Sequence, residues 1–397
     1  MRKGYDRTTA VDVARLAGVS RKTLYQHFGG KEPLFLATHE LVVEWISSRV
    51  STAYSKSRRE GVDPVRALRG ATEVYLAALR DRPAQARLAL GEVLALGVDA
   101  GEALEQSKRA WIAILDRGLG DAAGVERMPA PILGGALGGA WFVSRTRIVG
   151  AARKQAARNG RELTEWLLSL CGSQALDLPA IVPEVEPRGR RAPRACDDER
   201  GRMLDAALAL AAGAGHEEVS NGAITAHSRI ARNAFSRQFE SPVECLLEAV
   251  ELRFSEALDE AVGAAGAASG WERGVCRALA TMLARVARDR DLAVAAFWEL
   301  HTLGAPGANC RVGLIRCLAS ALGQCISERD APSPVFADAI AASIWALCFE
   351  LVAAGRPERL PEMSASAAYL ALAPIVGAAA ARTAIEAENR AGSTNHR

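Results

Sequence analysis

Arg21, Lys22, Thr23, Gln26 and His27 fall within seven consecutive residues and, at helical spacing, share the outward side of one short helix. Guanidinium, ammonium, hydroxyl, amide and imidazole groups arranged this way are the donors that reach base edges and phosphates when a helix enters the major groove. Leu24 and Phe28, four apart, are expected to face inward together. Ser20 is placed as an N-cap, with Val19 and Leu24 as a hydrophobic staple around it. Upstream, Val13, Ala14, Leu16 and Ala17 form a short apolar-periodic helix, and Gly18 supplies the turn between the two. The positioning elements are therefore helix, turn, helix.

The run TTAVDVARLAGVSRKTLYQHFGGKEPL, from Thr8 to Leu34, resembles the TetR-family (tetracycline-repressor-like) DNA-binding domain. The resemblance implies that Thr9 caps the domain's second helix beside a phosphate, that Tyr25, His27 and Lys31 grip the DNA backbone, and that Arg21, Lys22, Thr23 and Gln26 face bases. On the residues alone, Tyr25 can be a packing aromatic and Lys31 a solvated charge. A cation at a helix start opposes the dipole, so Lys31 is easier to understand with a phosphate nearby. Only Met1, Arg2 and Lys3 precede Gly4, so this head is expected to lack the family's first helix. Either translation starts upstream or the packing comes from elsewhere.

The same pattern recurs at a constant offset of 211: Gly4 falls on Gly215, Thr9 on Ser220, Val13 on Ile224, Val19 on Ile230, Arg21 on Arg232, Leu24 on Phe235 and Phe28 on Phe239. Between the copies, Pro179, Pro183, Pro187 and Pro193 break helical periodicity around a basic run from Arg188 to Arg194, which reads as a solvated linker, with a minor-groove arm as the alternative. The organisation expected is a helix-turn-helix domain at 1–44, a helical effector-binding and dimerisation domain at 45–178, a linker at 179–198, a second, degenerate helix-turn-helix domain at 199–252 and a second helical regulatory domain at 253–397. In the second head the turn glycine becomes Arg229, the capping serine Ala231, the tyrosine Ser236 and the lysine Pro242. From Gly4 to Thr38 there are five basic and three acidic residues, and from Gly215 to Ala249 three basic and five acidic, so the second head is the poorer polyanion binder. Arg232, Asn233, Arg237 and Gln238 still give its helix polar reach, and Ser241 to Glu244 reads as a capping box.

Aromatic residues are only 5% of the 397, and Ala, Leu, Arg and Glu dominate, which predicts an all-α chain. The eight cysteines form no Cys-x-x-Cys pair and, with six histidines, no zinc spacing, so no metal or other cofactor is expected. Cys310, Cys317 and Cys325 are expected to pack together on one helix face. The uncharged stretch 363–381 reads as a buried helix rather than a membrane span, nothing suggests secretion, and the cytoplasm is the default location. No catalytic constellation emerges, so an enzyme is not expected.

The family's regulatory domains bind a small effector and dimerise through their last two helices, expected here at 131–155 with 161–171, and at 335–355 with 361–381. Trp111 in the first half and Phe297, Trp298 and His301 in the second are the candidates for an effector pocket. Fusion of two copies makes an internal pseudo-dimer natural, further homodimerisation stays open, and two unequal heads imply an asymmetric operator on double-stranded DNA. The expected function is a ligand-responsive repressor binding through the first head. The alternative is an effector- or partner-binding scaffold that has lost most DNA binding.

Overall fold

The computed structural model describes residues 4–91, 93, 96, 101–172, 181 and 198–394. Every regular element among them is helical. The chain separates into two compact units, Met1–Leu176 and Asp177–Arg397. Of the Pro- and Arg-rich stretch, Ile181 and Asp198 are described; its four prolines and the run from Arg188 to Arg194 lie outside the described residues.

In the first unit α1 (Gly4–Arg7), α2 (Ala10–Ala17) and α3 (Arg21–Phe28) form the head, and α4 (Lys31–Arg59) runs from it into a bundle of α5 (Pro64–Asp81), α6 (Pro83–Leu90), α7 (Gly101–Ala123), α8 (Ala130–Val143) and α9 (Arg153–Ser169). Phe35, Val42, Ile46, Val50 and Tyr54 recur at helical spacing along the buried side of α4. One element therefore carries both the head's core and the bundle's. The carboxylate of Asp63 accepts from the N–H groups of Val65 and Arg66 at 3.0 and 3.2 Å, and Pro64 follows at the first helical position, which fixes where α5 begins. Gly160 of α9 lies so close to α5 that a Cβ there would stand 2.6 Å from Leu76.

In the second unit α10 (Glu199–Ala214), a 3₁₀ turn at His216–Glu218, α11 (Asn221–Ser228) and α12 (Arg232–Gln238) form the head. Its bundle consists of α13 (Pro242–Ala265), α14 (Trp271–Arg288), the short α15 (Arg290–Val294) and α16 (Leu300–Thr302), α17 (Gly304–Cys325), α18 (Pro334–Ala353), α19 (Ser364–Val376) and α20 (Ala378–Thr394). The helix α18 is long and apolar enough to cross a membrane, and two-thirds of its apolar window is buried, as in a core helix.

Three expectations need correction. The helix expected at 131–155 is broken: α8 ends at Val143, a π turn occupies Ser144–Ile148, and Gly150, at φ +86°, lets the chain turn before α9 starts at Arg153. The helix expected at 361–381 ends at Val376, where Gly377 takes φ +84° and starts α20; the apolar run of α19 is deeply buried despite Pro374. Cys310 is buried on α17 but Cys317 is exposed and Cys325 half-buried, so intervals of seven and eight do not keep all three on the inner face.

Candidate nucleic-acid interface

In the first head, Thr9 and Asp12 form a reciprocal capping box: the Thr9 hydroxyl accepts from the Asp12 N–H at 3.1 Å, and the Asp12 carboxylate accepts from the Thr9 N–H at 3.1 Å. Gly18 closes α2 at φ +67°, a conformation that costs a side chain but not glycine. The Ser20 hydroxyl accepts from the Thr23 N–H at 3.0 Å and meets the Thr23 hydroxyl at 2.8 Å, so α3 is firmly capped where its donors begin. Arg21, Lys22, Tyr25, Gln26 and His27 are all exposed on α3, with the Arg21 guanidinium 5.2 Å from the centre of the Tyr25 ring, and Thr23 is half-buried. Gly29 ends α3 in the left-handed region, and Lys31 opens α4. The Lys31 ammonium stands 3.9 Å from the centre of the Tyr5 ring, which meets Phe35 edge-on at 4.8 Å. A ring therefore offsets part of the unfavourable dipole at Lys31, a partner the sequence pattern did not reveal.

The inward side of this head is smaller than the apolar periodicity predicts. Ala14 and Leu24 are buried, but Leu16 is 87% exposed, Val19 43% and Phe28 39%. Phe28 thus does not share the burial of Leu24. In the second unit Ile230 and Phe239, 211 positions on from Val19 and Phe28, are 9% and 4% exposed. There α10 lies against α11 and α13. Its Arg200 guanidinium sits 4.3 Å from the Phe239 ring, donates to the Gln238 carbonyl at 3.0 Å and pairs with Glu248 at 2.6 Å.

The second head combines a buried core with a non-glycine turn residue and an uncapped helix start. Arg229 holds φ +56°, alone among the described non-glycine residues on the positive side; it closes α11 as Gly18 closes α2. Ala231 offers no capping atom to α12. Asn233 and Arg237 are exposed and Gln238 is half-buried; the side chain of Arg232 lies outside the described residues. The capping box at Ser241 is half formed: its hydroxyl accepts from the Glu244 N–H at 3.1 Å, but the Glu244 carboxylate accepts from the Glu240 N–H at 2.6 Å instead of closing back on Ser241.

This head is also fastened to its bundle. The buried Glu299 carboxylate accepts from the His216 backbone N–H at 2.8 Å and lies 3.0 Å from His216 Nδ1. The Thr302 hydroxyl donates to the Glu299 carbonyl at 2.8 Å, which leaves its oxygen, 2.8 Å from Nδ1, to accept, and so places the proton on Nδ1. Arg253 adds a second tie, pairing with Asp205 of α10 at 2.5 Å and lying 3.9 Å from Asp289 ahead of α15. The partners are 83 residues apart for His216 and 48 for Arg253 with Asp205, beyond any local pattern.

Of the effector candidates, two lie within a π turn, and Trp111 meets a tyrosine that contacts another. Trp111 is half-buried and edge-on to Tyr75 at 5.3 Å; the Tyr75 phenol, pushed up to about 12 by burial, meets Ser144, the first residue of the π turn Ser144–Ile148. Phe297 and Trp298 belong to the π turn Ala295–Glu299. Phe297 is fully buried, 4.4 Å from the Trp345 ring, while Trp298 stacks on Phe349 at 6.4 Å and His301 lies 4.3 Å from the same ring. π turns recur at functional sites, because one extra residue redirects the side chains around it. Among the described residues, no group of His, Cys, Asp and Glu is arranged to hold a metal ion.

Residues 1–38 match the family model for bacterial regulatory proteins of the tetR family. The first head is a TetR-family helix-turn-helix domain. Among solved structures, this chain is 13% identical to the fatty acid degradation regulator FadR from Bacillus halodurans, over 46% of this chain and 96% of that one, at a TM-score of 0.37. It is 14% identical to the transcriptional regulator FadR from Bacillus subtilis in complex with stearoyl-CoA, over 44% and 97% of the two chains, at a TM-score of 0.38. No curated protein matches the chain.

Proposed function

We propose that the chain is a cytoplasmic DNA-binding transcriptional regulator, a repressor released by a small molecule, that reads DNA through α3 of the first head. The observation that carries this reading is the row of exposed donors Arg21, Lys22, Gln26 and His27 on a helix capped at Ser20, inside the TetR-family domain. Thr9 and Lys31 stand at the starts of α2 and α4, where the resemblance puts phosphate contacts. Thr23, with its hydroxyl engaged by Ser20, contributes its methyl group toward bases. An effector selecting one arrangement of the bundle around a π turn would shift the head's affinity by linkage.

In this reading the two units of one chain replace the two subunits of a homodimer, and the operator is asymmetric. Arg237 and Asn233 make weak contacts in one half, and α3 makes strong ones in the other. Selection from a random DNA library, with the mass of the bound species measured, tests it. An asymmetric site bound by one chain supports it, and a palindrome bound by two chains replaces the pseudo-dimer with a homodimer of first heads. The competing reading, a binding scaffold without DNA function, is favoured by the exposed Leu16, Val19 and Phe28. Gel shift on genomic fragments at several salt concentrations separates the two, since a scaffold shows no salt-dependent retention.

A further inference from the structure

We propose that Tyr5 is a positioning residue for DNA binding, holding the Lys31 ammonium where it meets a phosphate; this rests on the DNA-binding reading of the first head. Lys31 is poorly placed for the stability of α4, because a cation in the first turn opposes the dipole and Gly30 offers no capping side chain. Its location makes sense for an anionic partner. Left alone, a lysine side chain spreads over many rotamers, and ordering it on binding costs affinity.

The structure supplies the restraint. The Tyr5 ring faces the ammonium at 3.9 Å and is itself held edge-on by the buried Phe35, one turn along α4 from Lys31. The ring occupies one side of the ammonium, and the half-buried lysine keeps its remaining N–H donors for another partner. Tyr5 also sits at the joint into α2: its carbonyl accepts from the Thr8 N–H at 3.1 Å, and Thr9 then caps α2. Tyr5 thus touches both the approach to α2 and the start of α4.

In the second head both members are replaced together. His216 stands at the position of Tyr5 and turns to Glu299, and Pro242 stands at the position of Lys31. The position has been turned from the DNA side toward the bundle, as expected if ring and ammonium serve one purpose.

The test is the salt dependence of DNA binding for the full chain and for Tyr5→Phe, Tyr5→Leu, Lys31→Ala and the Tyr5→Leu/Lys31→Ala double variant. One phosphate contact contributes about 0.9 to the slope of log K against log salt, so Lys31→Ala should lower the slope by about 0.9 and weaken binding about eightfold at 0.1 M salt. Tyr5→Leu should move both quantities toward the Lys31→Ala values, Tyr5→Phe should leave both unchanged, and the double variant should be no worse than Lys31→Ala. The Lys31 ε-methylene protons should be ring-shifted upfield in the free wild type and in Tyr5→Phe, and not in Tyr5→Leu. A Tyr5→Leu protein that binds more weakly at unchanged slope, or effects that add in the double variant, would show Tyr5 to be structural only. Absence of the ring shift with normal DNA binding overturns this inference alone, whereas a ring shift without salt-dependent DNA binding overturns the DNA reading and the inference with it.

Discussion

Phe28 and Phe239 lie 211 positions apart, each at the end of a short helix, and their surroundings are opposite. Phe28 lies open at the end of a helix capped by Ser20 behind the turn at Gly18, and Phe239 lies sealed under Arg200 at the end of a helix that Ala231 leaves uncapped, behind a turn strained at Arg229. The helix with the exposed row of donors belongs to the head with the thinner core. The head with the fuller core has acidic surroundings and is tied to its bundle through His216 and Arg253. Burial on the inner side and polar reach on the outer side are therefore separate properties of such a helix, because they lie on its opposite faces.

The comparison is most sharply broken by deleting the two rings. Phe239→Ala should destabilise the second unit by about 3 to 5 kcal/mol, as for a buried aromatic, while Phe28→Ala should cost the first unit about 1 kcal/mol or less; denaturant unfolding followed by hydrogen exchange separates the units. Next is the fastening of the second head. Glu299→Ala should cost about 1.5 to 3 kcal/mol, the range for hydrogen bonds to a charged group, with faster amide exchange at residues 216–228 and little change in α2 and α3. Equal acceleration in both heads would mean that the tie is not local.

For the reading surface, Arg21→Ala should lose about 1 to 3 kcal/mol of binding and relax base preference, whereas Arg237→Ala should lose much less. The reverse order, measured by titration on a selected operator, would exchange the roles of the heads. A smaller effect comes from acid. Burial lowers the pKa of His39 and the Ala89 carbonyl raises it by less, so the folded first unit favours the neutral ring. The unfolded chain then takes up the proton more readily. The stability from this residue is fully present above the unfolded value near 6.5 and falls away below it, by at most about 1.4 kcal/mol per pH unit, until the folded pKa is passed. At the equivalent place the second unit has the buried Val250, so His39→Val should remove the dependence. Smallest is repair of the second head: Ala231→Ser should restore a cap worth about 1 kcal/mol, visible as a rise in the unfolding midpoint of that unit alone.

The caps at Thr9 and Ser20, the turn at Gly18 and the exposed row on α3 were legible in the sequence because each rests on residues within four positions of one another. The failures have a common cause. Periodicity marks Leu16, Val19 and Phe28 as apolar but cannot say whether an element lies over them, as α10 with Arg200 lies over Phe239. Glycine is equally ambiguous: Gly139 sits inside α8, while Gly150 and Gly377 break the chain, and only their φ values tell the cases apart. Tyr5 with Lys31, and His216 with Glu299, are pairings that tertiary packing alone creates.

The π turn Ala295–Glu299 makes the number of residues in the chain a variable of its own. A π turn holds one residue more than the α-helix that would span the same gap, and each residue of an α-helix turns the next by about 100°. With that residue present, Phe297 reaches Trp345 in the bundle while Glu299, two positions on, reaches His216 in the head. Deletion of Ala296 lets the segment close as an ordinary α-helix, and one of those two appointments is then missed. Where Glu299 is the one displaced, the second head loses its tie through His216 and keeps the one through Arg253 and Asp205.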